Sequence, residues 1–543
     1  MSRNKPFILF GFLVAAIMLL GGIDAMKGVF LIDRHEGDTL HLLQILFRMD
    51  SGEWPHKDFM TPIGILAFAP VELFLNRGIG VGQSLIYSQI LMGVVLLPMV
   101  WWASHSRLKG SLSYLFGLSI VVFILALVHG ETFPAVSISM HYNRWAWAIS
   151  YIAILLAVLP PKGRERPVLD GFIIGACMAA LVLLKVTYFV AFFPPILIAL
   201  VQYKSWRTLA VSAISGLIAA AVVTLIAGFD FWLGYMGDLL EVSSSNVRPQ
   251  PGEPLNAIIS APRFLGATLT ALLGVLLLRQ GQKTIAGLLL LLLLPGFIYV
   301  TYQNYGNDPQ WLMLLAVLLF SQVPEKDAVN SWGWNLCSVT KMAAAAAFAL
   351  ALPSFFNMAF SPFRHLGKKV EDYTALVPQD ARSADLMTLK IRFARANAQV
   401  ALNDSDAGLQ KFSKMANREN RTELFGETLP ECELKLGYPA WLRTVAADLE
   451  QAGLAEGKRI FATDLLSSEW LFSHQLRPLE PGAPWYYGGL PGIDSADYVL
   501  VPLCPLAPKV RKIALDELFD RGDIKFTELR RTPLYILLEI QRK

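Results

Sequence analysis

The hydrophobic pattern divides the chain into two unlike stretches. From Phe7 to about Leu352, long apolar runs follow one another, separated by short polar or charged segments. After Phe360, polar and apolar residues mix as they do in a water-soluble protein. A helix needs ~20 mostly apolar residues to cross a bilayer, because its backbone groups must all be satisfied within the segment. Runs of this kind lie near 7–23, 83–103, 112–128, 145–159, 168–184, 187–203, 208–228, 263–278, 284–300, 310–323 and 337–353, which predicts eleven spans. The first has no small-residue cleavage site behind it and reads as an uncleaved helix. The segment 61–75 is apolar but short, and Pro62 and Pro70 punctuate it. It reads as an interfacial or re-entrant helix.

Charge supports this count. With eleven spans, Arg3 and Lys5 share a side with Arg107, Lys109, Lys162, Arg164, Arg166, Lys204, Arg207, Arg279, Lys283 and Lys326. That side is cytoplasmic by the positive-inside rule. Counting 61–75 as a span would place Lys162, Arg164 and Arg166 outside. The expected architecture is therefore a polytopic α-helical membrane domain over 1–353 and a soluble domain over 354–543. The first outer loop is 24–60, with the interfacial segment 61–75 after it. An odd number of spans puts the soluble domain on the outer, periplasmic or extracytoplasmic, side of the cell (inner) membrane. Within that domain, helices are expected near 381–402, 405–420, 439–452 and 509–521. Extended runs are expected at 459–463 and 498–502, with a hairpin over 524–530 and 533–541, giving an α/β layer.

Composition agrees with the membrane class. Of 543 residues, 54% are hydrophobic and 17% charged, against roughly 25% charged in soluble domains. The net charge of +4 is small, and no basic stretch is interleaved with aromatics, which argues against nucleic acid. The 4 cysteines are too few for a disulfide scaffold. Cys177 and Cys337 fall in apolar runs; Cys432 and Cys504 could pair if their region lies outside the cytoplasm. There is no phosphate-binding G-x-x-x-x-G-K-[ST] loop, no H-E-x-x-H, no paired C-x-x-C and no G-x-S-x-G. No internal repeat is evident.

The unusual polar residues collect on the outer side. In the first outer loop, 39–49 reads as an amphipathic helix. Leu42, Ile45, Leu46 and Met49 form its apolar stripe and His41, Gln44 and Arg48 its polar one, so it would lie along the membrane surface. Glu36 and Asp38 stand at its start. Asp38 is either the N-cap or a carboxylate able to act as a base. Gly52-Glu53-Trp54-Pro55-His56-Lys57-Asp58 closes the loop. The second outer loop holds His129, Glu131, His141, Tyr142, Asn143 and Arg144. Its aromatics and Arg144 either anchor at the lipid interface, with Arg144 snorkelling to headgroups, or contact a ligand. Lys185 sits at a turn between two spans and is either a snorkelling lysine or a phosphate ligand. Loop 229–262 reads as irregular and carries Arg248, with Arg263 beyond it; loop 301–309 carries Asn307 and Asp308, which are either turn and helix-start residues before Pro309 or, with the tyrosines and amides beside them, suited to hydroxyl-rich ligands. The loop Trp485-Tyr486-Tyr487-Gly488-Gly489 either stacks on a sugar or packs against the membrane domain.

This arrangement resembles the C-type (GT-C) glycosyltransferases, the superfamily of protein O-mannosyltransferases, lipid A aminoarabinose transferases and bacterial oligosaccharyltransferases. The resemblance rests on one span, then a long outer loop with acidic residues, an amphipathic helix, Gly52-Glu53-Trp54-Pro55, Asp58 and the Pro-led Thr61-Pro62-Ile63-Gly64. It covers 1–353 as architecture and about 30–64 as motif. The sequence departs from the superfamily at the acidic pair: many members have adjacent Asp-Glu with Tyr three residues on, whereas here Gly37-Asp38 precedes His41. The resemblance implies a glycosyltransferase using a polyprenyl-phosphate sugar donor and a lipid, glycan or protein acceptor. It implies a catalytic carboxylate, taken as Asp38 first and Glu36 second, with Glu131 as a further acidic residue. Candidate substrate contacts are His41, His56, Lys57, Asp58, His141, Asn143, Arg144, Lys185, Arg248, Asn307 and Asp308. Two carboxylates would suit a divalent metal, though nothing in the sequence requires one. The alternatives are a transporter or flippase, or a surface-polysaccharide polymerase or ligase. A transporter would place ionisable residues at mid-bilayer and often show two similar halves; neither is visible here.

Overall fold

A computed structural model describes residues 6–247, 256, 261–304, 308–325, 328–400 and 421–542. A helix stands at each of the eleven predicted spans. In chain order, α1 is Pro6–Met26, α2 Glu36–Asp50, α3 Ala69–Leu75, α4 Val81–Arg107, α5 Ser111–Leu125, α6 His141–Val158, α7 Pro167–Leu184 and α8 Val186–Gln202. They continue with α9 Trp206–Ala227, α10 Asp230–Ser244, α11 Pro262–Gln280, α12 Thr284–Gln303, α13 Leu312–Ser321 and α14 Leu336–Leu366. Among the described residues, 7 of these helices are long and apolar enough to cross a membrane unaided. Of the remaining bundle helices, α6 and α13 are shielded by neighbours. All of α6 from Asn143 onward is buried, as are the residues of α13 from Leu312 to Leu319. At the opposite extreme, α9 buries only Thr208, Ser215 and Ala227. It packs on α7 where Gly175 lets the backbones touch: a Cβ there would lie 2.3 Å from the Ser212 carbonyl oxygen. Small residues at such a seam are how helices associate where lipid supplies no hydrophobic drive.

The segment 61–75 contains no helix long enough to cross a membrane. It forms a 3-10 turn at Ile65–Ala67 and the short α3. Gly64 lies against the end of α7, where a Cβ would come 2.1 Å from the Leu183 carbonyl oxygen, and its N–H donates to the Leu184 carbonyl at 3.2 Å. Loop 229–262 departs from expectation, since its first half is the helix α10. The last membrane helix runs past 353 to Leu366.

The C-terminal region is strand-bearing, and one of its sheets recruits the first loop. The strand β1, Phe30–Ile32, pairs in parallel with β3, Leu386–Leu389, which pairs antiparallel with β2, Tyr373–Ala375. The helix expected over 381–402 is thus replaced by a 3-10 turn, β3, the short α15 (Lys390–Ala394) and β4 (Asn397–Val400). A strand partner more than 300 residues away overrides a local helical pattern. The helix expected over 405–420 lies outside the described residues. The two remaining helices appear at Tyr438–Gln451 and Pro508–Asp520, and a four-stranded sheet joins Ile460–Ala462, Tyr498–Pro502, Ile524–Arg531 and Tyr535–Arg542. Cys432 and Cys504 form a disulfide.

This region grips α2. The stripe His41, Gln44, Arg48 faces it and not the membrane surface. Gln44 Nε2 donates to Ser468 Oγ (2.9 Å) and the Pro484 carbonyl (3.1 Å), and its Oε1 accepts from Trp470 Nε1 (3.2 Å). Arg48 donates to Glu53 (2.7 Å) and the Leu479 carbonyl (2.8 Å). Beside Ser468, Glu469 is wholly buried with Oε1 unpartnered. Burial pushes its carboxyl up to about 8, with Asp464 adding to the rise against a backbone N–H that opposes it. The folded protein therefore holds a proton that the unfolded chain, with an ordinary value near 4.5, releases. This group's stabilising contribution is full below about pH 4.5 and is lost as pH rises to about 8. Glu469→Gln is expected to remove that dependence. Thermal unfolding of the full chain in detergent should show wild type losing stability relative to the variant from pH 5 to 8. A constant difference would refute the assignment.

Candidate functional site

Asp38 and the loop before α6 meet at the end of the helical bundle that carries the strand-bearing region. Asp38 is not the N-cap of α2. That place belongs to His35, held at φ 66°, with no side-chain cap. Asp38 is the third residue of the helix, and its Oδ2 accepts from Ser139 Oγ at 2.5 Å. Among the described residues its other oxygen has no partner. Its carboxylate lines a cavity with His41, His141, Tyr142, Trp485 and Tyr487. Two of the sequence candidates, His41 and His141, thus join Asp38. His41 packs edge-on against Trp485, with ring centroids 5.4 Å apart. His141 places Nε2 2.9 Å from the Ala67 carbonyl oxygen.

A cation stands behind Tyr142. Lys185 lies between α7 and α8, as expected, and its Nζ donates to Asn143 Oδ1 (2.7 Å) and Asn304 Oδ1 (2.8 Å). It is 5.5 Å from the centre of the Tyr142 ring, whose residue also lines the Asp38 cavity. Asn304 Nδ2 in turn donates to Tyr188 Oη at 2.7 Å, so the residues that fix Lys185 come from α6, α8 and the end of α12. Below this region an apolar cavity of about 600 Å³ opens between α7, α8 and α9, running from Leu183 and Trp232 to Leu200 and Leu209. Leu183 is the residue on which Gly64 rests, and Ile63 lines the Asp38 cavity. The apolar cavity and the carboxylate are therefore separated by one loop.

The other candidates lie elsewhere. Glu36 is buried, and Arg392 grips both its oxygens at 2.5 and 2.8 Å while Thr388 Oγ1 donates to one of them at 3.0 Å. Its carboxylate ties the start of α2 to the C-terminal region. Glu131 pairs with Arg34 at 3.8 Å; burial raises its carboxyl, with Arg34 opposing. Asp308 pairs with Arg263 at 2.8 Å and accepts from Ser354. His56 is buried against Tyr235, its Nδ1 2.7 Å from Asp238 Oδ2 on α10. Lys57 donates to the Ala227 carbonyl, and Asp58 accepts from the Trp54 N–H, closing a local turn. Arg144 does not snorkel. It is fully buried and donates to the Val128 and Ala126 carbonyls, both at 2.6 Å. Arg248 and Asn307 lie outside the described residues. No cluster of three or more His, Cys, Asp or Glu able to hold a metal ion occurs among the described residues.

Sequence reasoning missed Ser137 and Ser139. A serine in a loop carries no pattern of its own, and only the fold brings Ser139 to Asp38 and Ser137 to Ser139 and His35. It also left the Trp485–Tyr487 loop open between two roles; the loop both packs on the membrane region and lines the cavity.

No family model matches the chain, and no curated protein matches it. Two solved structures are similar in overall shape: ArnT from Cupriavidus metallidurans in the apo state (TM-score 0.39, 11% identity, 97% of each chain covered), and the same protein bound to undecaprenyl phosphate (TM-score 0.35, 11% identity, 98% of this chain and 97% of that chain). At such scores the likeness carries no argument about chemistry, which rests on the residues themselves.

Proposed function

We propose that the chain is a membrane glycosyltransferase that moves a sugar from a polyprenyl-phosphate donor to an acceptor hydroxyl at the outer face. The observation that carries this reading is that Asp38, with one oxygen unengaged, lines a cavity with Tyr142, and the anchored cation Lys185 stands 5.5 Å from the centre of that same ring. The apolar cavity between α7, α8 and α9 suits a lipid tail, and it adjoins the boundary where a phosphate headgroup would meet Lys185. In the step envisaged, Asp38 takes the proton from the acceptor hydroxyl. The freed oxygen attacks the anomeric carbon from the face opposite the phosphate. The carbon–oxygen bond to phosphate breaks, the electron pair leaves with the polyprenyl phosphate, and Lys185 stabilises the charge that develops there. The product is inverted at the anomeric carbon. Glu36, saturated by Arg392 and Thr388, serves as a strut in this scheme, and Glu131 takes no step.

The cavity beside Asp38 holds about 50 Å³, room for one or two waters at ~30 Å³ each. Trp485 and Tyr487 are among the residues that line it. The loop that carries them is held by Gln44 to the Pro484 carbonyl, Ser245 to the Tyr487 carbonyl, the Tyr486 N–H to the Leu465 carbonyl at 2.9 Å and Tyr486 Oη to Glu517 at 3.2 Å.

The test is to incubate the purified chain with polyprenyl-phosphate sugars labelled in the sugar, using a native membrane lipid extract as acceptor source. Appearance of free polyprenyl phosphate together with labelled product is the expected result. Movement of intact donor across vesicles without bond cleavage would replace this reading with transport.

A further inference from the structure

The geometry points to Ser139 as the residue that positions Asp38, an inference that rests on Asp38 being the base. Ser139 is 3% exposed. Its hydroxyl donates to Asp38 Oδ2, so one carboxylate oxygen is occupied and the orientation of the other is set. A base works only when its lone pair is aimed at the proton it takes, and an aspartate on two free torsions is not aimed by itself.

Ser139 is itself held from two sides. Its N–H donates to Ser137 Oγ at 3.1 Å, and the Ser137 N–H donates to the Leu127 carbonyl at 2.8 Å. Ser137 Oγ also lies 2.8 Å from His35 Nδ1. His35 immediately precedes α2, and its carbonyl accepts from the Thr39 N–H (3.0 Å) and Thr39 Oγ1 (2.9 Å). The contacts therefore form a closed circuit from Asp38 through Ser139, Ser137 and His35 and back along α2. One corner of this circuit, His35 at φ 66°, and the residue that follows Ser139, Met140 at φ 54°, are non-glycine residues in the left-handed region. Non-glycine residues take that conformation rarely and at a cost, and they concentrate where a site needs a fixed geometry. The His35 ring packs on His129 at 5.1 Å between centroids. Burial lowers both imidazoles, His129 to about 3; at His35 the charges of Arg34 and Arg392 add to the lowering while Asp38 and Glu36 oppose it.

The experiment uses the full chain in detergent, with the labelled polyprenyl-phosphate sugar and membrane lipid extract described above. Ser139→Ala is expected to lower kcat roughly tenfold with donor KM little changed. Ser139→Thr, which keeps the hydroxyl, should restore kcat. If Ser139→Ala does not fold, Ser137→Ala tests the next link and should lower kcat by less, again with donor KM little changed. Wild-type kcat in Ser139→Ala, in preparations where Asp38→Asn is inactive, would overturn the inference. So would a kcat loss that Ser139→Thr fails to rescue. Full turnover by Asp38→Asn would instead overturn the assignment of the base.

Discussion

Asp38→Asn is expected to lower sugar transfer by about 10²–10⁴-fold, the range a positioned general base supplies, while leaving the protein folded. The amide is the same size as the carboxylate. Its oxygen can still accept from Ser139, and among the described residues Asp38 makes no ion pair whose loss would destabilise the fold. The contrast with Glu36 sharpens the test. Glu36→Gln removes the charge that Arg392 grips from both sides, leaving a guanidinium without its partner in a partly buried place, a loss that falls on stability. Asp38→Asn should therefore lose kcat at unchanged unfolding temperature, and Glu36→Gln should lose unfolding temperature with a smaller loss of kcat. Initial rates with labelled donor and thermal unfolding in the same detergent separate the two. If the pattern were reversed, Glu36 would be the base and Asp38 a structural residue.

The second large effect is expected at Lys185. Lys185→Met keeps the length and apolar stem of the side chain but removes the charge. Removal of one preorganised donor from a developing anion costs about 10²–10³-fold in kcat, and a loss of that size is expected here with a polyprenyl-phosphate donor. Lys185 also ties α8 to Asn143 and Asn304, so a structural effect needs its own control. Tyr188→Phe provides it, since it removes the bond from Asn304 Nδ2 to Tyr188 Oη while leaving the cation. The control should lose far less activity. Equal losses in the two variants would mean that Lys185 acts only as a tie between helices.

How much of this was legible in the sequence differs from residue to residue. Lys185 was visible because a lone cation in a long apolar stretch has to lie at a turn or serve a partner, and it does both. The polar stripe of α2 was visible as a stripe, but its neighbour was not. The pattern that marks a surface helix also marks a helix whose polar face is covered by another domain, and Ser468, Trp470 and Leu479 supply that cover. Asp38 was read as a cap or a base, since an acidic residue at a helix start suits either. The structure places His35 at the cap and removes that reading. Arg144 was expected among headgroups or at a ligand and is found inside, because two loop carbonyls at Ala126 and Val128 take the place of water.

The sequence by itself determined the eleven helices, the lack of a spanning-length helix in 61–75 and the change to a strand-bearing region after the last helix. Each follows from a local quantity, the length and continuity of apolar runs against the thickness of a bilayer. Only the tertiary structure decided which carboxylate has an oxygen to spare. Glu36 and Asp38 are two residues apart and chemically alike. Arg392 and Thr388 take the first, and Ser139 takes half of the second. Those partners come from segments about 100 and 350 residues along the chain, at separations where no local pattern links them, and the packing of α2 between the bundle and the C-terminal region brings them together.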